Sequence, residues 1–120
     1  MTNLNNKVML IGNLGKDPEI KELEKGRRLA KFSLATTESY KNDAGERISE
    51  TSWHNLVAWN GLATIAEKYL TKGKEVAVEG RLVYRNYEDK DGTKKYITEI
   101  ILSQIQLLRG QKESVLGSAE

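Results

Sequence analysis

Both tryptophans of the chain lie on one short segment, residues 52–60, which reads Ser-Trp-His-Asn-Leu-Val-Ala-Trp-Asn. Side chains alternate between the two faces of an extended strand, so Trp53 and Trp59 share one face at a separation of about 20 Å. That separation suits several stacked bases better than one small-molecule pocket. A tryptophan on a strand most often belongs to the core. This chain has ample Val, Leu and Ile for a small core, so we predict that the two indoles form an exposed aromatic platform.

Aromatic and basic side chains are interleaved along the chain, and together they supply both interactions that a single-stranded nucleic acid requires. Rings stack on any base, with about 1 to 3 kcal/mol per base, and cations track the phosphates. The predicted stacking residues are Tyr40, Trp53, Trp59 and Tyr87. The predicted phosphate-binding residues are Lys31, Lys41, Arg47, Lys72, Arg81, Arg85 and Lys94. A duplex hides the faces of its bases, so this pattern favours single strands of any sequence.

Catalytic and metal-binding patterns are weak in this sequence. Residues 12–17, Gly-Asn-Leu-Gly-Lys-Asp, are too closely spaced for a phosphate loop, and no Ser or Thr follows the lysine to hold magnesium. His54 is the only histidine and the chain has no cysteine, so a zinc site or a nucleophile–histidine pair lacks its partners. The carboxylates of Glu88, Asp89 and Asp91 fit an ordinary Asp-Gly turn. The sequence therefore predicts no enzyme, no metal and no other cofactor.

Length and charge bound the remaining possibilities. A chain of 120 residues is long enough for one domain with a single modest core. The formal net charge is only +2, so attraction for a polyanion must come from where the cations lie. The lack of cysteine fits a reducing compartment, and residues 1–6 carry no signal-peptide pattern. No apolar run approaches membrane-spanning length. We therefore expect a cytoplasmic protein that does not engage a membrane.

Hydrophobic periodicity predicts five strands and one helix. The strands fall at residues 7–14, 29–37, 52–60, 75–87 and 94–108, with a short extended piece near Ile20. The helix follows the third strand, with Asn60 as its N-cap and Gly73 at its end. Residues 40–47 read as a long polar loop, and residues 89–92 as a hairpin turn. This order predicts an all-β protein, a five-stranded OB-fold barrel with one helix between strands 3 and 4.

The predicted domain covers residues 1–110. Residues 111–120 carry too little apolar content to fold by themselves, so they are predicted to be a disordered tail.

Five stretches of this sequence resemble the bacterial single-stranded DNA-binding proteins, the SSB family. They are residues 7–19, residues 32–40, the pair Trp53-His54, the helix at residues 62–73 and residues 78–82. The resemblance implies an OB-fold protomer that assembles into a homotetramer and binds single-stranded DNA in replication, recombination and repair. It further implies a bacterial protein associated with the nucleoid. It also implies that Tyr40, Trp53, Trp59 and Tyr87 occupy the stacking positions of that family.

The sequence departs from that family in two respects. Tyr40 and Tyr87 stand where relatives often have Trp, and Tyr40 shares strand parity with Phe32 and Leu34. Tyr40 therefore reaches the face of the indoles only if a bulge or twist follows Thr37. Relatives also usually end in an acidic tip with a terminal Phe that docks partner proteins. Here the sequence ends at Glu120, so recruitment of replication proteins through such a tip is not expected.

Two alternatives remain open from the sequence alone. One is an RNA-binding OB module, and the other is a protein-interaction subunit whose aromatic patch is an oligomer interface. His54 lies on the face of its strand opposite the indoles, which favours a position near a subunit contact.

Overall fold

The computed structural model describes residues 4–108, which form six strands and one helix. The strands are β1 (Val8–Leu14), β2 (Glu19–Glu22), β3 (Arg28–Lys41), β4 (Arg47–Trp59), β5 (Glu75–Glu88) and β6 (Lys94–Leu107). A 3-10 turn (Glu24–Gly26) precedes β3, and helix α1 (Gly61–Tyr69) follows β4. The predicted tail, residues 111–120, lies outside the described residues.

Five of the strands close into a barrel in the order β1-β5-β6-β4-β3, and β1 pairs with β3 to complete it. The short β2 only extends the pairing of β3. The closure requires glycine at position 12, because a Cβ there would lie 2.1 Å from the carbonyl oxygen of Ala35. The predicted five-stranded barrel, with its helix between the third and fourth barrel strands, is confirmed.

The barrel interior is filled by apolar side chains at alternate positions of the strands. On β3 these are Ala30, Phe32 and Leu34, each no more than 5% exposed. The largest fully buried side chains are Leu34, Leu56, Leu70, Leu107 and Val76. No tryptophan of the described chain belongs to this core. The aliphatic residues and Phe32 therefore account for the described interior without either tryptophan.

Helix α1 packs Ala63 and Ala66 into the core and contacts β3, β4 and β6. Asn60 precedes it in a left-handed conformation (φ 55°), but its side chain does not cap the helix. The Asn60 Oδ1 instead accepts a hydrogen bond from the backbone N–H of Arg28 at 3.3 Å. The helix ends at Tyr69, before Gly73, whose N–H bonds the carbonyl of Leu14. Among the described residues, no helix has the length and apolarity to cross a membrane.

Two long hairpins extend the barrel strands, and each is closed by one side chain. Asn42 Oδ1 accepts hydrogen bonds from the N–H groups of Ala44 and Glu46, so the turn between β3 and β4 is shorter than the predicted loop at residues 40–47. Asp89 Oδ1 accepts from the N–H groups of Asp91 and Thr93 in the predicted turn between β5 and β6. Both hairpins are therefore ordered β structure close to their tips.

Candidate nucleic-acid interface

The outside of the barrel carries both indoles on one sheet face, which we call the outer face. Trp53 is 61% exposed, and Trp59 is half-buried. Their neighbours His54, Leu56 and Ala58 have the opposite parity, and Leu56 and Ala58 are buried in the core. The predicted alternation of β4 is therefore observed, and the two rings are available to a ligand.

Trp53 is seated on the backbone of the chain just after β1. A Cβ built on Gly15 would lie 2.5 Å from Cζ3 of the indole and 2.9 Å from Oγ of Ser33. Since such distances do not occur between real atoms, only glycine leaves room for the ring in this position. One face or edge of the indole is thus supported by the protein, while most of its surface remains open.

Trp59 is stacked against a cation. The guanidinium carbon of Arg27 lies 5.0 Å from the centroid of the Trp59 ring, which is the geometry of a cation–π contact. Arg27 directly follows a turn in which Lys25 and Gly26 both adopt left-handed conformations. A base that stacks on Trp59 from that side must share the ring with Arg27 or displace it.

The face of the β3–β4 hairpin that bears Trp53 leads outward to two cations. Beyond Trp53 the hydroxyl groups of Thr37 and Thr51 lie 3.3 Å apart, and those of Ser39 and Ser49 lie 3.1 Å apart. The next pair on this face is the predicted phosphate-binding pair, Lys41 and Arg47. Hydroxyls and cations in this order offer donors to a phosphate chain without any intervening carboxylate.

Tyr40 lies on the opposite face of this hairpin. The pairing of β3 with β4 is continuous from residue 29 to residue 41, so the bulge that would carry Tyr40 to the side of Trp53 does not occur. Its face also carries Glu38 and Glu50, which are cross-strand partners. Tyr40 is half exposed, at 49%, but its surroundings are acidic and it is separated from the indoles by the hairpin itself.

The β5–β6 hairpin places its basic and aromatic residues as the sequence pattern indicates. Val76 and Val78 point into the core, so Arg81, Arg85 and Tyr87, which have the other parity, lie on the outer face. Tyr87 is 48% exposed. Its cross-strand partner is Lys95, whereas the predicted Lys94 lies opposite Glu88 on the reverse face. Lys95 is therefore the lysine that accompanies Tyr87.

A polar groove crosses the outer face between the two indoles. It is lined by apolar side chains of β3, β4 and β6 together with the polar and charged residues Lys16, Glu19, Lys31, Ser33, Asn55, Arg85 and Glu99. Lys31 also lines the adjoining depression that contains Trp59. Two of the predicted phosphate-binding residues, Lys31 and Arg85, thus meet in one groove.

Glu99 forms the polar centre of this groove. It is only 7% exposed, although it lies on the outer face beside Asn55. Its Oε1 accepts a hydrogen bond from Nε of Arg85 at 3.2 Å, and its Oε2 accepts one from Nη2 at 3.0 Å. These bonds hold the pKa of the Glu99 carboxyl below its usual value, against the opposing effect of burial, and nearby Lys31 lowers it further. The carboxyl is therefore ionised at neutral pH.

Two further predicted site residues, Lys72 and His54, do not line the groove. The backbone N–H of Lys72 donates a hydrogen bond to Oδ1 of Asp17 at 2.8 Å. Asp17 is close in sequence to Gly15, which lies against the Trp53 ring. His54 is half-buried, and its Nε2 lies 2.9 Å from Oγ1 of Thr36. His54 thus lies on the face opposite the indoles, as its parity predicts. Within residues 4–108, no group of three or more His, Cys, Asp or Glu side chains is arranged to hold a metal ion.

Sequence reasoning did not select four residues that the fold brings to this surface, namely Lys16, Arg27, Lys95 and Glu99. Three of them depend on loop geometry or cross-strand register, which leave no local pattern. Glu99 does leave one, because it is a single carboxylate inside the apolar run Ile97 to Leu102. A charge in such a run indicates a specific partner.

A small closed β-barrel with exposed rings, a cationic groove and uncharged donors has the architecture of proteins that bind single-stranded nucleic acids. The comparisons with known proteins agree. The model of the single-strand binding protein family matches residues 5–108, and the chain therefore belongs to that family.

Individual relatives are similar over most of the chain. The single-stranded DNA-binding protein 1 of Chlorobaculum tepidum is 47% identical over 116 residues, which are 96% of this chain and 71% of that protein. The single-stranded DNA-binding protein of Neisseria meningitidis serogroup A is 40% identical over 113 residues, 94% of this chain and 65% of its own length. A solved Plasmodium falciparum SSB complex with single-stranded DNA superimposes with a TM-score of 0.80 at 40% identity, covering 86% of this chain and 94% of the other.

Proposed function

We propose that this chain binds single-stranded DNA with little sequence preference and protects it during replication, recombination and repair. The observation that carries the proposal is the open indole of Trp53, displayed on the outer face beside a groove that contains Lys31 and Arg85. A soluble chain rarely keeps such a large exposed ring without a ligand. Membership of the single-strand binding protein family, and the DNA in the solved Plasmodium complex, support the same ligand.

Binding follows from two separate interactions on this surface. Bases stack on Trp53, Trp59 and Tyr87, whose spacing matches several nucleotides and not one. Phosphates are attracted by Lys31, Arg81 and the cations of the two hairpins, and each contact releases counterions. Neither interaction reads the edge of a base, so the affinity depends on strandedness more than on sequence. The chain acts by binding, and nothing in this mechanism requires a catalytic step.

Titration with poly-dT, followed through tryptophan fluorescence, tests the proposal. Bases stacked on the indoles should quench the emission strongly at low salt, and added salt should release the polymer and restore the signal. Duplex DNA of the same length serves as the control, because its base faces are covered. An unchanged emission with poly-dT at low salt contradicts the proposal, and a marked preference for poly-U in competition would redirect it to RNA.

We further propose that the protein is a homotetramer of the kind implied by the family. Along β1, Met9 and Ile11 are 69% and 62% exposed. Among the described strands, β1 pairs with β3 only at Asn13 and Leu14, so one edge of Val8 to Gly12 faces no other strand. An open edge beside exposed apolar side chains favours association with further copies.

Native mass measured on dilution tests this assembly. His54, on the side of β4 away from the indoles, is proposed to lie near a subunit contact. His54→Ala should then raise the protein concentration below which the assembly dissociates, while a monomeric wild-type protein would contradict the assembly itself. A cytoplasmic location, with access to the nucleoid, follows from the proposed ligand.

A further inference from the structure

Glu99 is an unexpected residue for a surface that binds a polyanion. Among residues 4–108 it is the one charged side chain that is buried. Burial of a carboxylate is unfavourable unless it is paired and hydrogen-bonded. Its charge is moreover of the same sign as the phosphates, so simple electrostatics predicts that it weakens DNA binding. A compensating role is therefore needed.

The geometry of the ion pair supplies that role. Arg85 contacts Glu99 through Nε at 3.2 Å and Nη2 at 3.0 Å, a two-point arrangement that fixes the plane of the guanidinium. The Arg85 side chain is nevertheless 48% exposed. A guanidinium has five N–H donors, so those not used by Glu99 remain for a second acceptor. Arg85 is thus held by Glu99, and its remaining N–H groups are accessible to a ligand.

The Arg85–Glu99 ion pair lies on the outer face between Trp53 and Trp59. Asn55 of β4, which lies between Trp53 and Trp59 in sequence, is the direct partner of Glu99 on β6. Val83 is its partner on β5, and Arg85 is the next outer-face residue along that strand. The guanidinium is therefore held in the groove between the two indoles, where a phosphate linking bases stacked on them would pass.

We propose that Glu99 is a positioning residue for DNA binding, which holds the Arg85 guanidinium in the orientation that a backbone phosphate requires between Trp53 and Trp59. The inference rests on the proposed single-stranded DNA function. Preorganising a long side chain removes the entropy loss of immobilising it on binding. That gain exceeds the repulsion between Glu99 and the phosphates, because Arg85 neutralises the carboxylate locally.

Glu99→Gln separates this positioning role from simple charge repulsion, because the two predict opposite changes in the affinity for single-stranded DNA. The variant removes a negative charge and one arm of the fork. If Glu99 positions Arg85, the affinity for a labelled oligo-dT should fall by about 2- to 12-fold, which corresponds to the cost of ordering one long side chain. If the carboxylate is only repulsive, the affinity should rise. The control is Asp91→Asn, which removes an exposed carboxylate from the same hairpin. It shows how the affinity for oligo-dT changes when only a negative charge is removed.

The same substitution in an Arg85→Gln background completes the test. Without the guanidinium, Glu99 has no Arg85 side chain to position, so Glu99→Gln should then leave the affinity unchanged or raise it. An equal loss in both backgrounds would show that Glu99 acts through general stability, and it would overturn the inference. Circular dichroism and melting temperature are recorded for each variant.

A second variant does not depend on the fold tolerating a change at Glu99. Arg85→Lys keeps the charge but cannot form the planar fork, so it should weaken oligo-dT binding by a factor similar to that of Glu99→Gln. Wild-type affinity for this variant would overturn the inference. Failure of the wild-type protein to bind oligo-dT would instead refute the proposed function, so the two failures are distinguishable.

Discussion

Gly15 lies directly beneath the indole of Trp53, so closely that a Cβ at this position would be 2.5 Å from Cζ3 of the ring. A glycine at the end of the first strand thus determines where an aromatic side chain of the fourth strand stands. The chain between β1 and β2 therefore belongs to the proposed DNA-binding surface, although Gly15 has no side chain that could contact a ligand.

We expect Gly15→Ala to weaken single-stranded DNA binding without unfolding the protein. The new methyl group also meets Oγ of Ser33 at 2.9 Å, so the ring must tilt away from its seat and loses its orientation toward the bases. The affinity for oligo-dT should fall by about threefold or more, a part of the stacking energy of one base. The matched control is Gly61→Ala, where no atom lies within 4 Å of the added methyl group. Equal affinity of the two variants for oligo-dT would mean that the close contact between Gly15 and the Trp53 ring is not required for binding.

Removal of a ring should cost more affinity than removal of a cation. Trp53→Ala deletes one stacking surface worth about 1 to 3 kcal/mol, or about 5- to 150-fold in affinity. Lys31→Gln deletes a screened phosphate contact, and it should lower the slope of log K against log salt by about 0.7. Anisotropy of a labelled oligo-dT at several salt concentrations measures both. Comparable losses from the two variants at physiological salt would contradict the stacking mechanism.

The two tyrosines of the predicted platform should not contribute equally. Tyr87 shares the outer face with Arg85 and lies opposite Lys95, whereas Tyr40 stands on the reverse of its hairpin beside Glu38 and Glu50. Tyr87→Ala should therefore weaken oligo-dT binding by about fivefold, while Tyr40→Ala should change it by less than about twofold. The conservative variant Tyr87→Phe keeps the ring and should bind as the wild type does. A larger loss at Tyr40 than at Tyr87 would place the DNA path on the other side of the hairpin.

The parts of this surface that the sequence predicts are those governed by the two-residue period of a strand. That period alone places Trp53 and Trp59 on one face of β4. It also places the basic and aromatic residues of β5 together on the outer face. It does not bring Arg85 to Glu99, because that contact depends on the register between two strands. Nor does it predict Arg27 over Trp59, because Arg27 lies outside the strands, after a turn in which Lys25 has φ 63°. For the same reason the period does not show that Lys95, and not the predicted Lys94, shares the face of Tyr87, since one residue of register exchanges the two faces.

The ion pair in the groove should also make the stability depend on pH in acid. Hydrogen bonds from Arg85 lower the pKa of Glu99 in the folded protein below its unfolded value, which is about 4.3. Unfolding in acid therefore takes up a proton at this site, and the stabilisation present above that pH is lost as the pH falls through the folded pKa. The melting temperature of the wild type should exceed that of Glu99→Gln at pH 7, and the difference should shrink below about pH 4. A difference that stays constant from pH 7 to pH 3 would mean that ionisation of Glu99 does not contribute to the stability.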